Sequence, residues 1–336
     1  MKRKVFEKAK RTLLTVSVLF FLVSGHLFSA DPATNPRVRY KFPVMGTEAI
    51  LVLFAPQEQA EKALQRVKAA FDRVLQVANP YDPESEVTRL NRMASTAPFV
   101  CSEDLWAMLQ AAREAWKISG GAFDITSRPI MDLWGFYRIK PDRHAPDEKE
   151  WKEVLAKVGL EQVRFDDKLH SVFFTVPGMA LDLGGLAKGY AVDLAVDAIR
   201  REGITRGSVN LGGNLGLMEP PPEQSGWIVG LWAPDRTVAD YICLMKDTAV
   251  STSGDYERYI LVDGEKIGHI VDPRTGRPVH REYSVSAIAP SALWADILST
   301  VFYLEPETIL PEGEKWTGIR IIRNETAEVR NAKEPQ

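Results

Sequence analysis

Cysteine is nearly absent: the 336 residues hold two, Cys101 and Cys243. That excludes a disulfide-dense scaffold and any zinc or iron–sulfur centre built from several thiolates. After export the two can pair, or they can stand as separate buried thiols, and both readings remain open. A charge excess of one sign is also missing. The 42 basic and 45 acidic residues leave a net charge of −3, so there is no broad basic field for wrapping nucleic acid. Internal repeats, low-complexity tracts and long linkers are lacking too. Beyond the N-terminus no stretch is apolar enough to span a bilayer, which excludes a multi-span membrane protein.

What is present is an ordinary globular mixture, 45% hydrophobic and 26% charged. The length corresponds to roughly two domains of about 150 residues, or to one larger one. Without a linker, one catalytic unit over residues 31–325 is the expectation, with a loose polar tail at 326–336. The first 30 residues differ in kind. Lys2, Arg3, Lys4, Lys8, Lys10 and Arg11 form a basic start, and Leu13 to Val23 is almost wholly apolar. Ser29, Ala30, Asp31 and Pro32 follow. This is the layout of a secretory signal over residues 1–30, and it predicts export to the periplasm. Phe28 is large for the minus-three position of a cleavage site after Ala30, so an uncleaved anchor, and with it a membrane tether, is the alternative.

The element pattern favours an α+β fold, a mixed, largely antiparallel β core flanked by helices, because strands and helices alternate without a regular βαβ rhythm. Thr47–Phe54 reads as a strand and Gln57–Ala78 as a helix with Leu64, Val67, Phe71 and Val74 at helical spacing. Helices are also predicted over 103–119, 189–203 and 292–304, the one over 189–203 closed by Gly203. Hairpins are predicted at 163–176, around Asp166–Lys168, and at 259–270, around Asp263–Gly264. Short strands are expected near 208–211, 227–232 and 241–245. Residues 141–150 and 220–226 read as surface loops.

Three places carry chemistry. Leu181–Gly189 (LDLGGLAKG) opens a predicted helix. Its glycines let backbone N–H groups approach an anion, and Lys188 adds a charge. It is neither a Walker A loop nor G-x-G-x-x-G, and the competing reading is a helix-start turn with glycines for packing. A second cluster, Leu211–Asn214, reads as a tight turn. Asp296 and Thr300 lie one turn apart on the 292–304 helix, a carboxylate and a hydroxyl suited to magnesium when phosphates complete the shell. A Thr bonding back into the helix beside a lone Asp is the alternative. Among five histidines, His144, His170 and His280 sit in polar, solvated stretches. His269 ends a hairpin strand where an imidazole can serve as a base or as a structural side chain. No HExxH or nucleophile elbow occurs.

Taken together, eight segments in order resemble the ApbE family of flavin transferases. They are Met45–Thr47; Tyr81 with Ser85–Asn91; Gly121–Thr126; Asp182–Tyr190; Asn210–Asn214; Ser251–Tyr256; His269–Gly276; and Ala295–Asp296 through Thr300. The resemblance implies an ApbE-like fold and a reaction in which magnesium-bound FAD is cleaved at its diphosphate. FMN passes to a Thr or Ser hydroxyl of an acceptor protein, an exported redox protein, and AMP is released. It further implies that Met45, Tyr81 and Ala122–Phe123–Asp124 meet the flavin, that Asp182, Lys188 and Ile270 contact FAD, and that Asp296, Thr300 and a backbone oxygen near Gly185 hold Mg2+. His269 would be the base for the acceptor hydroxyl. The lipoprotein cysteine of several family members is missing. An FAD-binding or storage protein, and a magnesium-dependent FAD pyrophosphatase giving FMN and AMP, are the alternative functions.

Overall fold

The computed structural model describes residues 36–137, 144–256 and 258–326. The predicted signal (1–30), part of the 141–150 loop and the tail beyond Thr326 lie outside these residues. In chain order the elements begin with β1 (Arg37–Val44), β2 (Thr47–Phe54), α1 (Gln57–Ala78), α2 (Glu86–Met93), β3 (Phe99–Val100) and α3 (Glu103–Ile118). Next come α4 (Arg128–Trp134), α5 (Glu148–Leu155), β4 (Val163–Asp166), β5 (Ser171–Phe174), α6 (Ala187–Arg201), β6 (Gly207–Leu211) and β7 (Asn214–Leu217). The remainder is β8 (Trp227–Trp232), β9 (Val238–Leu244), β10 (Thr248–Ser253), β11 (Tyr259–Val262), β12 (Glu265–Gly268), β13 (Val271–Asp272), β14 (Arg277–Pro278), β15 (Tyr283–Ala289), α7 (Ala292–Leu304) and β16 (Arg320–Glu325).

A seven-stranded sheet in the order β1-β2-β6-β7-β10-β15-β16 organises the molecule. Every ladder in it is antiparallel, which bears out the α+β expectation. Both faces of the sheet are covered, and this explains the apolar run TEAILVLF in β2. Ala49, Leu51 and Leu53 enter the core beneath the helices, while Ile50 and Val52 enter a second core under the β8–β9 ribbon. Helices α1, α6 and α7 pack in series on the first face. α7 is apolar nearly all round, as befits a helix buried between sheet and neighbours.

Several predicted boundaries are corrected. The helix expected from Gly189 begins at Ala187, because the Ala187 N–H already reaches the Leu183 carbonyl at 2.9 Å. Lys188 therefore sits in the first turn. Gly203 lies just past the end at φ +76°, the left-handed conformation that glycine tolerates. The strand expected near 241–245 runs Val238–Leu244, with a register irregularity opposite Leu231/Trp232. The loop expected to reach Glu150 yields to α5 at Glu148, which a capping box between Asp147 and Glu150 starts. The two cysteines do not pair; Cys101 is buried and Cys243 exposed. Burial pushes the Cys101 thiol up to about 12. His170 is not simply solvated, since its ring stacks on Trp106 at 4.9 Å.

Candidate active site

The strand ends and helix starts on the α7 side of the sheet converge on one cavity of about 660 Å³, within the range of small-molecule sites. Every residue singled out from the sequence for a site role lines it: Met45, Tyr81, Ala122, Phe123, Asp124, Asp182, Gly185, Lys188, His269, Ile270, Asp296 and Thr300. They come from chain segments spread from the β1–β2 turn to α7.

The acidic end is built by close helix packing. Gly189, in the first turn of α6, lies so near α7 that a Cβ there would fall 2.3 Å from the Ala292 carbonyl oxygen and 2.7 Å from the Asp296 Cβ. With no side chain in the way, the Gly189 N–H donates to Asp296 Oδ2 at 2.9 Å. Ser251 from β10 donates to Oδ1 at 3.3 Å, and the Asn214 side chain faces the carboxylate and favours its charged form. Asp296 is only 5% exposed, and burial raises its pKa against the opposing pull of Lys188 and these donors. One turn along, the Thr300 hydroxyl is 3.1 Å from Ser253 Oγ and 3.4 Å from the Asp296 carbonyl oxygen, to which it donates. The helix entrance is less open to an anion than its glycines imply, because the Ala187 and Gly189 N–H groups are already bonded within the protein.

Among the described residues no group of three His, Cys, Asp or Glu side chains is placed to hold a metal. A cation here would instead take one carboxylate, the Thr300 hydroxyl and backbone oxygen. That is a hard-oxygen set that fits magnesium, with the rest of the shell left to phosphate and water.

The opposite wall is aromatic and cationic. Tyr81, 63% exposed, meets Tyr137 edge-on at 5.4 Å between centroids. Arg258 donates to the Tyr81 hydroxyl at 3.0 Å and to the Phe136 carbonyl at 2.8 Å. The Tyr137 hydroxyl donates to Asp182 Oδ2 at 2.6 Å, while the Gly184 N–H takes Oδ1 at 2.8 Å. Burial and the Asp182 carboxylate both push the Tyr137 phenol pKa up. The Phe123 ring lies 3.3 Å from where a Cβ on Gly185 would stand, so glycine there leaves room for the ring. The Asp124 carboxylate lines the cavity but bonds Thr126, at its N–H and hydroxyl, and the Leu160 N–H. The Lys188 side chain makes no hydrogen bond or ion pair among the described residues, and its charge acts on both His269 and Asp296.

His269 is half-buried where β12 runs out. Its N–H donates to the Arg258 carbonyl at 3.1 Å, and its Nδ1 lies 3.0 Å from the same oxygen. A carbonyl only accepts, so Nδ1 carries the hydrogen and Nε2 keeps its lone pair. Burial, then the Lys188 and Arg258 charges, lower the imidazole pKa to about 4 against the bond to the Arg258 carbonyl. The ring is neutral and able to accept a proton at physiological pH.

Arg258, Tyr137 and Asn214 were not legible as site residues. Arg258 lies two residues past the Ser251–Tyr256 segment, and Asn214, at the end of Asn210–Asn214, reads only as a turn residue. Tyr137 follows Trp134–Gly135 with no local signal.

An antiparallel α+β scaffold with a metal-suited acidic end, a lysine and a neutral imidazole in one cleft defines a candidate phosphoryl-transfer enzyme. The sequence pattern described as "ApbE family" matches residues 45–315, and the chain belongs to that family. It is 32% identical over 269 residues to a Klebsiella pneumoniae protein named FAD:protein FMN transferase, covering 79% of this chain and 81% of that one. The solved flavin transferase ApbE from Vibrio cholerae superposes with TM-score 0.74 at 25% identity, covering 86% of this chain and 93% of that one. An ApbE protein from Thermotoga maritima gives 0.76 at 28% identity, covering 89% and 100%.

Proposed function

We propose that this chain transfers the FMN half of FAD to a Thr or Ser hydroxyl of an acceptor protein. The family membership and the relatives named for that reaction support the reading. The observation that carries it is His269, with Nδ1 held by the Arg258 carbonyl and Nε2 left as a base in the cavity that Asp296 and Lys188 also line.

The residues divide the work. Tyr81, Met45 and Phe123 offer aromatic and thioether surface to a flat isoalloxazine. Lys188 and Arg258 supply positive charge to a diphosphate. Asp296, Thr300 and the Gly185 backbone would hold magnesium, which neutralises diphosphate charge and orients the leaving group. His269 accepts the proton of the acceptor hydroxyl at Nε2 as that oxygen bonds to the FMN phosphorus. The bond from that phosphorus to the bridging oxygen breaks, and AMP leaves with the oxygen. Storage of FAD requires no such base.

Residues 31–325 make up the catalytic unit in this reading, and the acceptor is an exported redox protein. The basic and apolar start supports a periplasmic setting, free or tethered to the cytoplasmic membrane. Among the described residues no helix is long and apolar enough to cross a membrane.

The test mixes the purified protein, FAD, Mg2+ and an acceptor bearing the target threonine. Flavin fluorescence that stays on the acceptor through denaturing electrophoresis is the expected result. Free FMN and AMP alone would identify a pyrophosphatase, and intact bound FAD a storage protein.

A further inference from the structure

Asn214 opens β7 immediately after the Gly212–Gly213 turn, whose glycines sit at φ +55° and +92°. The turn is fixed by its neighbours: Asn210 accepts the Gly213 N–H at 3.0 Å, and Gly212 abuts Thr47. The Asn214 side chain is thereby directed into the wall of the cavity and is 2% exposed. Its amide faces the Asp296 carboxylate and favours its charged form, while its Oδ1 is shut off from solvent and has no hydrogen-bond partner among the described residues.

This pairing determines which way the amide points. A carboxylate only accepts, so the NH2 group must face Asp296, and exchanging N and O would set two acceptors against each other. The oxygen is then a buried acceptor with nothing to accept from. Buried carbonyl oxygens in that position are rare, and one at a site of hard oxygen donors has an evident complement in a divalent cation or a water on it.

We propose that Asn214 is a further member of the divalent-cation site. Its NH2 group holds Asp296 in place, and its Oδ1 supplies an oxygen donor to the cation, in the inner shell or through one coordinated water. The inference rests on the cation-dependent reading of the site given above.

The test uses Mn2+ alone, without nucleotide, titrated into the full chain and followed by electron paramagnetic resonance and by thermal unfolding. Asn214→Ala is expected to weaken Mn2+ binding at least tenfold while FAD binding in EDTA is unchanged. Asn214→Asp sets two carboxylates together, so the metal-free protein is expected to melt below wild type. Mn2+ should raise its melting temperature by more than it raises that of wild type. Mn2+ affinity within twofold of wild type in Asn214→Ala, or a Mn2+-induced rise in Asn214→Asp no larger than in wild type, overturns the proposal. The second variant decides if the first does not fold. Absence of Mn2+ binding by the wild-type chain overturns the cation site itself, and this proposal with it.

Discussion

The backbone N–H of Gly189 donates to Asp296 Oδ2 at 2.9 Å, so the first turn of one helix holds a carboxylate that belongs to another. Gly189→Ala puts a methyl group against the Ala292 carbonyl and forces α6 and α7 apart. Overpacking of this kind costs about 1–3 kcal/mol. Urea unfolding is expected to show that loss, and flavin transfer to fall more than tenfold as Asp296 moves. Wild-type stability in this variant would exclude a tight contact between α6 and α7 at Gly189.

His269 titrates far below an ordinary histidine, to about 4, through burial and two neighbouring cations. In the unfolded chain it takes up a proton near pH 6.5, and in the folded chain only near 4. The unfolded state therefore binds more protons across that window. The contribution of this group to stability is complete above pH 6.5 and declines as pH falls toward 4. Likewise kcat/KM should hold its plateau well below pH 6, since His269 stays in its base form there. His269→Ala should abolish transfer and leave FAD binding intact, which a gel assay and a flavin titration separate. Transfer at the wild-type rate would remove His269 from the role of base.

Arg258 connects the aromatic wall to the base through its side chain and its carbonyl. Arg258→Ala retains the carbonyl but frees Tyr81 and removes one of the charges that lower the His269 pKa. KM for FAD should rise severalfold, and the acid limb of the pH–rate profile should shift upward. Arg258→Lys should keep that limb low while failing to restore the paired contacts to Tyr81 and Phe136.

Met45 occupies the first position of the two-residue turn joining β1 to β2 at φ +51°, followed by Gly46 at +71°. A bulky side chain in that conformation costs on the order of 1 kcal/mol, and Asn is the residue such turns favour. Met45→Asn is expected to raise unfolding stability by up to about 1 kcal/mol and to weaken FAD binding, both measurable on the same preparation. An unchanged FAD affinity would separate Met45 from the flavin.

Elements with a strong local pattern were legible in the sequence. The bounds of α1 and α7, the β4–β5 and β11–β12 hairpins, and β2 and β8 match the sequence reading closely. Strands β7, β10 and β15 were not read, because NLGL, TAVSTS and YSVSAIA are rich in small residues. Their size answers to tertiary packing: Gly216 in β7 lies where a Cβ would strike Val192 and Val196 of α6. The capping signal at Asp147–Glu150 was present but masked by the surrounding proline and charge. For the site, residues on a distinctive local string, such as LDLGGLAKG or the Asp296–Thr300 pair, could be singled out from the sequence, and they line the cavity. Tyr137 and Arg258 owe their place to contacts across long stretches of chain, Tyr137 with Asp182 and Arg258 with Tyr81, which no local pattern encodes.

Strand β2 pairs with β6 across roughly 150 intervening residues, and the helix bearing Asp296 follows still later. A partly synthesised chain that ends before Leu304 therefore lacks a complete pocket, however well its earlier helices form. Acquisition of a flavin ligand reports completion of the whole architecture, and a truncated product would compete for neither dinucleotide nor acceptor.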